Sequence, residues 1–379
     1  MANFLFLTWS GAGNQPPAIA LGQTLKARGH AVAFAGYDVQ RTLFTERGLD
    51  FVLLERASAA WKEETPERRF AVKLRNAWAS SDHLADLPEL LSRKPYDAIV
   101  VDCLMFGALA AAEKTGLPTV TFIHSAPGAL MPPGGQFESR ILQPVNDVRR
   151  RAGVDAVSQL WEAWARFPAF SNSVRELDPL GSRARSFEYF GPMTEPSMPS
   201  GWTWPRQVDH QRPLVLVSFS TGREWDQSSR ITRTLEAIAG RNCRALITTG
   251  PVKIDARSVP DNAVIVERLS HDEILPQAAL TITHAGHGTV IAALKHGVPL
   301  LCLPNKAADQ PLLAAQVHDL GCGLSLDGDN ATPREIREAI DRLILEPNFA
   351  AKARALAGAI SASPGMSAAV ARLEELASG

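Results

Sequence analysis

Leu280-Thr281-Ile282-Thr283-His284-Ala285-Gly286-His287-Gly288-Thr289-Val290-Ile291-Ala292-Ala293-Leu294 passes from an apolar run through a small-residue turn into a helical pattern. Leu280–Thr283 reads as a buried strand, and Val290, Ile291 and Leu294 recur at helical spacing. Strand, glycine turn and helix N-terminus together make an anion site. First-turn N–H groups have no intrahelical partner, the dipole is positive there, and glycines admit a phosphate closely. His284 and Thr289 add side-chain donors. Taken alone, the stretch is equally a turn with two ordinary histidines. Downstream, Gly297-Val298-Pro299-Leu300-Leu301-Cys302-Leu303-Pro304 reads as a turn and a buried strand. Asp309-Gln310 follows at that strand's C-terminal end, where α/β sheets bind ligands. A carboxylate beside an amide suits hydrogen bonds to sugar hydroxyls; Asp309 equally suits the N-cap of a helix over Leu312–Val317.

Outward from this stretch, strand-like runs alternate with helical ones, the pattern of βαβ units and parallel sheets. Leu214–Ser218, Arg244–Thr248, Val264–Val266 and Leu300–Leu303 read as further strands, and Pro333–Leu376 as helix-rich. The N-terminal half repeats the plan. A strand over Phe4–Thr8 leads through a Gly-rich loop to a helix from Pro16 to Arg28, stopped at Gly29. Strands at His30–Ala35, Ala98–Val101 and Thr119–Ile123 follow, with a helix over Ala108–Lys114. Residues 125 to about 190 read as a long excursion near a site. Five prolines between Pro192 and Pro213 mark the break, because proline removes ladder donors. The expected organisation is α/β: residues 1–195 as one Rossmann-like domain, 196–212 as linker, and 213–379 as a second, facing a common cleft.

The length of 379 residues favours two domains, since one core rarely grows past ~250–300 residues. Lys+Arg 39 against Asp+Glu 40 leaves a charge of -1, which gives no support for nucleic-acid or anionic-membrane binding. Cys103, Cys243, Cys302 and Cys322 sit singly without CxxC spacing, so neither a disulfide framework nor a zinc site is expected, and a reducing, cytoplasmic setting fits. No apolar run approaches the ~20 residues of a membrane span. Gly11-x-Gly13 with Asp38 partly matches a dinucleotide fingerprint. However, Pro16 stands where a third glycine should let helix and strand pack closely.

The ordered set His284-Ala-Gly-His-Gly-Thr289, Gly297-Val-Pro299, Pro304 and Asp309-Gln310 resembles the donor box of GT-B nucleotide-sugar glycosyltransferases, especially bacterial enzymes that decorate natural products and macrolides. Tyr189-Phe190-Gly191-Pro192, Leu216-Val217-Ser218-Phe219-Ser220-Thr221, Leu269–Pro276 and Leu25–His30 support the likeness over nearly the whole chain. The resemblance implies that His284, Gly286, Gly288 and Thr289 bind the donor diphosphate, with Ser220 and Thr221 approaching it. Arg268 and Leu269 would border the nucleobase, and Asp309 and Gln310 would hold the sugar. The N-terminal domain would take the acceptor, with residues 56–90 and 127–185 shaping its pocket, and the last helix would cross back onto that domain.

Two positions depart from the family pattern. Many relatives carry a Glu, three residues after the Ser/Thr of the glycine turn, that binds both ribose hydroxyls; here that residue is Ala292. A deoxyribose has no 2′-hydroxyl, so Ala292 weakly favours a thymidine-diphosphate (dTDP) donor over uridine diphosphate (UDP). The family's catalytic His, oriented by an Asp, is replaced by Asn14, while the orienting Asp is retained as Asp102. Asn accepts no proton at neutral pH, which leaves Asp102 or His124 as base, or an acceptor needing little deprotonation, or a loss of transfer.

The expected function is therefore an inverting glycosyltransferase that moves a sugar from a nucleotide sugar to a small natural-product or aromatic acceptor. It would need no metal and no other cofactor, and a homodimer remains open. The alternative is a nucleotide-sugar-binding protein with little or no transfer because of Asn14.

Overall fold

The computed structural model describes residues 1–11, 13–61, 69–195, 200–205, 209–219 and 226–379. Two compact units divide the chain: Met1–Arg175, Leu180–Glu195 and Ser363–Gly379 form one, and Glu176–Pro179 with Pro196–Ala362 the other.

The first unit is built on a parallel sheet of seven strands: β1 (Asn3–Leu7), β2 (Ala31–Gly36), β3 (Asp50–Leu53), β4 (Ala98–Asp102), β5 (Thr119–Ile123), β6 (Ala169–Ser171) and β7 (Phe187–Tyr189), in the order β3-β2-β1-β4-β5-β6-β7. The central strands are buried on both faces, which is why they read as continuous apolar runs rather than alternating ones. On one face Phe4, Phe6, Phe34 and Val100 pack against Ile19, Leu21 and Leu25 of the helix Gln15–Ala27. The same cluster takes Ala369, Val370 and Leu373 from the C-terminal helix Gly365–Ser378. That helix is pinned by Glu374, which pairs with Arg28 at 2.9 Å and with His30 Nε2 at 2.7 Å.

The second unit carries β8 (Leu214–Ser218), β9 (Arg244–Thr248), β10 (Ala263–Val266), β11 (Ala278–Thr283), β12 (Leu300–Cys302) and β13 (Gly323–Ser325). They form a parallel sheet of six strands in the order β10-β9-β8-β11-β12-β13. Val215, Val217, Ile247, Leu280 and Leu301 pack on Ile231, Leu235, Ile336 and Ile340 of flanking helices.

Strand order reverses direction between β1 and β4 in one sheet and between β8 and β11 in the other. Adjacent loops diverge at such a point, leaving room for a ligand beyond the strand ends. These two positions are where Asn14 and Asp102, and Ser218 and His284, emerge.

Most expected elements appear within a residue or two of their predicted bounds. Four short strands were not expected: β3, β6, β7 and β13. The excursion assigned to residues 125–190 contains two of them, so that stretch completes the first sheet. Each has only three residues, too few for a periodic signal. All four cysteines are free and buried.

Candidate active site

At the first reversal point β4 ends on Asp102, which is almost wholly buried. Its carboxylate gathers four donors. Oδ1 accepts from the Trp9 indole Nε1 at 3.0 Å and the Leu104 backbone N–H at 3.0 Å. Oδ2 accepts from Asn14 Nδ2 at 3.1 Å and faces His124 Nδ1 at 3.0 Å. Asp102 and His124, expected as alternative bases, and Asn14, which stands at the usual base position, thus meet at one carboxylate, although Asn14 and His124 lie 88 and 22 positions from Asp102. Asn14 sits just before the helix Gln15–Ala27, and His124 just after β5, the next strand of the sheet.

Asp102, Cys103 and His124 also bring three metal-ligating atoms within 4.8 Å of one another. The arrangement suits a hydrogen-bond hub better than a cation. The lone pairs of the carboxylate already have donors, and burial pushes the Cys103 thiol well above its usual range, away from the thiolate a metal needs.

An aromatic wall adjoins the hub. The ring of Trp9, which donates to Asp102, meets Trp78 edge-on at 5.8 Å; Trp78 in turn meets Phe137 at 5.0 Å and Phe70 at 5.6 Å. The buried Trp78 Nε1 has no hydrogen-bond partner among the described residues. Residues 56–90 and 127–185 were expected to shape an acceptor pocket without any side chain being assigned; these rings come from three separate stretches of chain, and each by itself reads as ordinary core.

At the second reversal point β11 delivers His284 beside the end of β8, where Thr283 is in register with Ser218. Ala285 takes a left-handed φ of 63°, so the chain turns sharply into the helix His287–Lys295 with Gly286 as N-cap. A Cβ on Gly286 would stand 2.5 Å from His284 Nε2, and Gly288 has open space around its Cα. Those two glycines keep the imidazole in place and the helix N-terminus approachable. His284 is buried, and its Nδ1 lacks a partner among the described residues. Burial first, and the Arg230 guanidinium second, lower its pKa to about 4, so the ring is neutral at neutral pH. A neutral ring offers one N–H donor and no net charge.

Arg230 was not anticipated. It is buried on the helix Ser228–Ile238, held by Asp329 at 2.5 Å and Gln227 at 3.2 Å, and it supplies the positive field felt by His284. A lone Arg in an amphipathic helix gives no sequence signal of this. Ser218 Oγ joins Thr248 Oγ1 at 2.9 Å to His271 Nε2 at 3.0 Å, closing the floor between β8, β9 and the segment after β10.

Thr289 is half-buried in the first turn of the helix. Arg268 is exposed and Leu269 half-buried, just after β10. Asp309 occupies the N-cap position of the helix Gln310–Asp319 but forms no side-chain cap. The Gln310 carbonyl oxygen accepts from Asn305 N at 3.0 Å and Nδ2 at 2.8 Å, shaping the turn that also holds Ala308 at φ 56°. Ser220 and Thr221, expected at the diphosphate, lie outside the described residues.

Residues 221–376 match the family profile described as "Erythromycin biosynthesis protein CIII-like, C-terminal domain". The chain is 26% identical to 4'-demethylrebeccamycin synthase of Lentzea aerocolonigenes, over 92% of this chain and 93% of that one. It is 23% identical to O-mycaminosyltylonolide 6-deoxyallosyltransferase of Streptomyces fradiae, over 98% and 96%. Among solved structures, the glycotransferase of kitacinnamycin superposes with a TM-score of 0.81 at 20% identity, covering 99% of this chain and 98% of that one. The calicheamicin glycosyltransferase CalG4 gives 0.78 at 20% identity, over 99% and 98%. No helix among the described residues is long and apolar enough to cross a membrane. Residues 221–376 carry the EryCIII-like C-terminal domain, the chain is similar over nearly its whole length to bacterial natural-product glycosyltransferases, and its fold is the GT-B fold of such enzymes.

Proposed function

We propose that the protein transfers a sugar, with inversion, from a nucleoside-diphosphate sugar to a small natural-product or aromatic acceptor. The observation that carries this reading is the neutral, buried His284 set at the N-terminus of the helix His287–Lys295, with Gly286 and Gly288 leaving the approach open. Negative charge grows on the leaving diphosphate as the glycosidic bond breaks, and unpaired N–H groups with the helix dipole stabilise that charge. The N-terminal unit takes the acceptor and the C-terminal unit the donor. Thr289, Ser220 and Thr221 contact the diphosphate, Arg268 and Leu269 border the base, and Asp309 and Gln310 hold the sugar.

The preferred donor carries thymidine diphosphate. Ala292, half-buried on the helix, offers no carboxylate to a ribose 2′-hydroxyl. A structural neighbour at 21% identity, the glycosyltransferase VinC, was solved in complex with dTDP, which supports the same choice. The aromatic wall of Trp9, Trp78, Phe70 and Phe137 supports an aromatic or apolar acceptor, and the spare Trp78 N–H suits a carbonyl on it. No metal is needed, since the helix N-terminus and Arg230 already oppose the diphosphate charge. The four free, buried cysteines suit a cytoplasmic setting.

Calorimetry with dTDP and UDP tests the donor site. Wild-type protein binds dTDP more tightly than UDP, and His284→Ala weakens both by about tenfold or more, a loss of ~1.4 kcal/mol or more. If neither nucleotide binds, the reading fails. A second reading, donor binding without transfer, is favoured by Asn14 alone. It predicts tight dTDP binding with no turnover on any acceptor, before or after Asn14→His.

A further inference from the structure

We infer that the general base of this protein has moved from the loop after β1 to His124, at the end of β5, and that Asn14 has become a positioning residue for the acceptor. The inference rests on the transferase reading above.

The hydrogen-bond geometry around Asp102 assigns these roles. A carboxylate oxygen only accepts, so the His124 Nδ1 that faces Asp102 Oδ2 at 3.0 Å is the protonated nitrogen. That tautomer leaves the lone pair on Nε2. The side chain of His124 is 11% exposed against 1% for Asp102, so the imidazole is the more accessible member of the pair. Asp102 is fixed from its other side by Trp9 Nε1 and the Leu104 N–H, as an orienting carboxylate must be.

Asn14 is oriented by the same network. Its Nδ2 donates to the Trp9 carbonyl at 3.1 Å and to Asp102 Oδ2 at 3.1 Å. Turning the amide over would set its oxygen against a carbonyl and a carboxylate, so the partners determine which end is oxygen. That oxygen, Oδ1, is buried without a hydrogen-bond partner among the described residues, in a side chain 1% exposed. A buried acceptor is costly to leave unpaired, and it awaits a donor from a bound molecule.

In the reaction, His124 Nε2 takes the proton of the acceptor O–H or N–H as that atom's electron pair attacks the anomeric carbon. The bond from that carbon to the diphosphate breaks, and its electron pair leaves on the diphosphate oxygen. The imidazolium is stabilised by Asp102. Asn14 Oδ1 accepts a hydrogen bond from a second O–H or N–H beside the reacting one. The acceptor class is thus one with neighbouring donors, such as a catechol, a vicinal diol or an amide next to a hydroxyl.

The test uses dTDP-glucose with three acceptors: 7-hydroxycoumarin, 6,7-dihydroxycoumarin and 2-chloro-4-nitrophenol, which is already ionised at neutral pH. His124→Gln lowers kcat on 7-hydroxycoumarin by about 10²–10⁴-fold below the pH at which that phenol ionises. The loss on the nitrophenolate is at least tenfold smaller. Asn14→Ala raises KM for the dihydroxycoumarin more than for the monohydroxycoumarin. Equal losses on phenol and phenolate, or none, overturn the base assignment. Equal KM changes on the two coumarins overturn the role of Asn14. Calorimetry with dTDP on the same preparations confirms folding, and absent dTDP binding in wild type is the separate failure of the transferase reading.

Discussion

Replacing Asp102 by Asn tests the hub by changing one oxygen to an NH₂ at nearly constant shape. In the native structure Oδ1 and Oδ2 each accept from two donors, namely Trp9 Nε1 with Leu104 N, and Asn14 Nδ2 with His124 Nδ1. An asparagine has one oxygen, so whichever way it turns, two donors face an NH₂. Hydrogen bonds to a charged group contribute about 1.5–3 kcal/mol each, so losing two costs about 3–6 kcal/mol. The site is buried, so little of that is recovered by solvent. Urea unfolding followed by tryptophan fluorescence measures the loss, and Trp9 lies at the site itself. Turnover falls as well, by about 10²–10⁴-fold, because the amide no longer fixes the His124 tautomer or stabilises the imidazolium. Binding of dTDP to the folded fraction is unchanged, since the second unit is untouched. A variant less than about 1 kcal/mol weaker than wild type would refute the four-donor account. Unchanged turnover would refute the orienting role, whatever the stability.

Two further substitutions probe other parts of the molecule. Gly286→Ala places a Cβ 2.5 Å from His284 Nε2 and must displace the imidazole; dTDP affinity falls about tenfold by calorimetry, and an unchanged affinity would remove His284 from the donor site. Fully buried His83, beside the Tyr37 hydroxyl at 3.0 Å, has its pKa lowered to about 4, chiefly by burial. Because the folded value lies below the unfolded one, the associated stability is present above about pH 6.5 and drains away toward pH 4. His284, also lowered to about 4, adds a second proton to the same window. Urea midpoints measured from pH 7 to pH 4 should therefore decline, and His83→Asn should reduce the slope by about 1.4 kcal/mol per pH unit. An unaltered slope would show that His83 titrates normally.

Much of the strand–turn–helix segment around His284 was legible from local sequence. Thr283–Thr289 reads as strand, turn and helix N-terminus because each part rests on short-range rules: apolar runs, glycine turns, helical spacing. The structure adds that Ala285, not a glycine, takes the left-handed turn, and that Gly286 is the residue His284 needs small. Arg230 could not be foreseen, since its relation to His284 depends on how the helix Ser228–Ile238 lies against the sheet. The missed strands β6, β7 and β13 show the same limit, because three residues form a strand only when a neighbouring strand supplies the ladder.

By itself the sequence determined the α/β class and the pair of Rossmann-like domains, and its resemblance to a known family marked Asn14 as standing where a histidine is usual. The class and the domain pair follow from residue type and spacing along the chain. Only the tertiary structure decided that Asn14, Asp102 and His124 share one carboxylate, with Trp9 and Leu104 completing its donors. The reason is geometric: β1, β4 and β5 are adjacent in a parallel sheet. Parallel pairing aligns the C-terminal ends of strands whose residues lie far apart in the chain, and side chains at those ends become hydrogen-bond partners only when the sheet has formed.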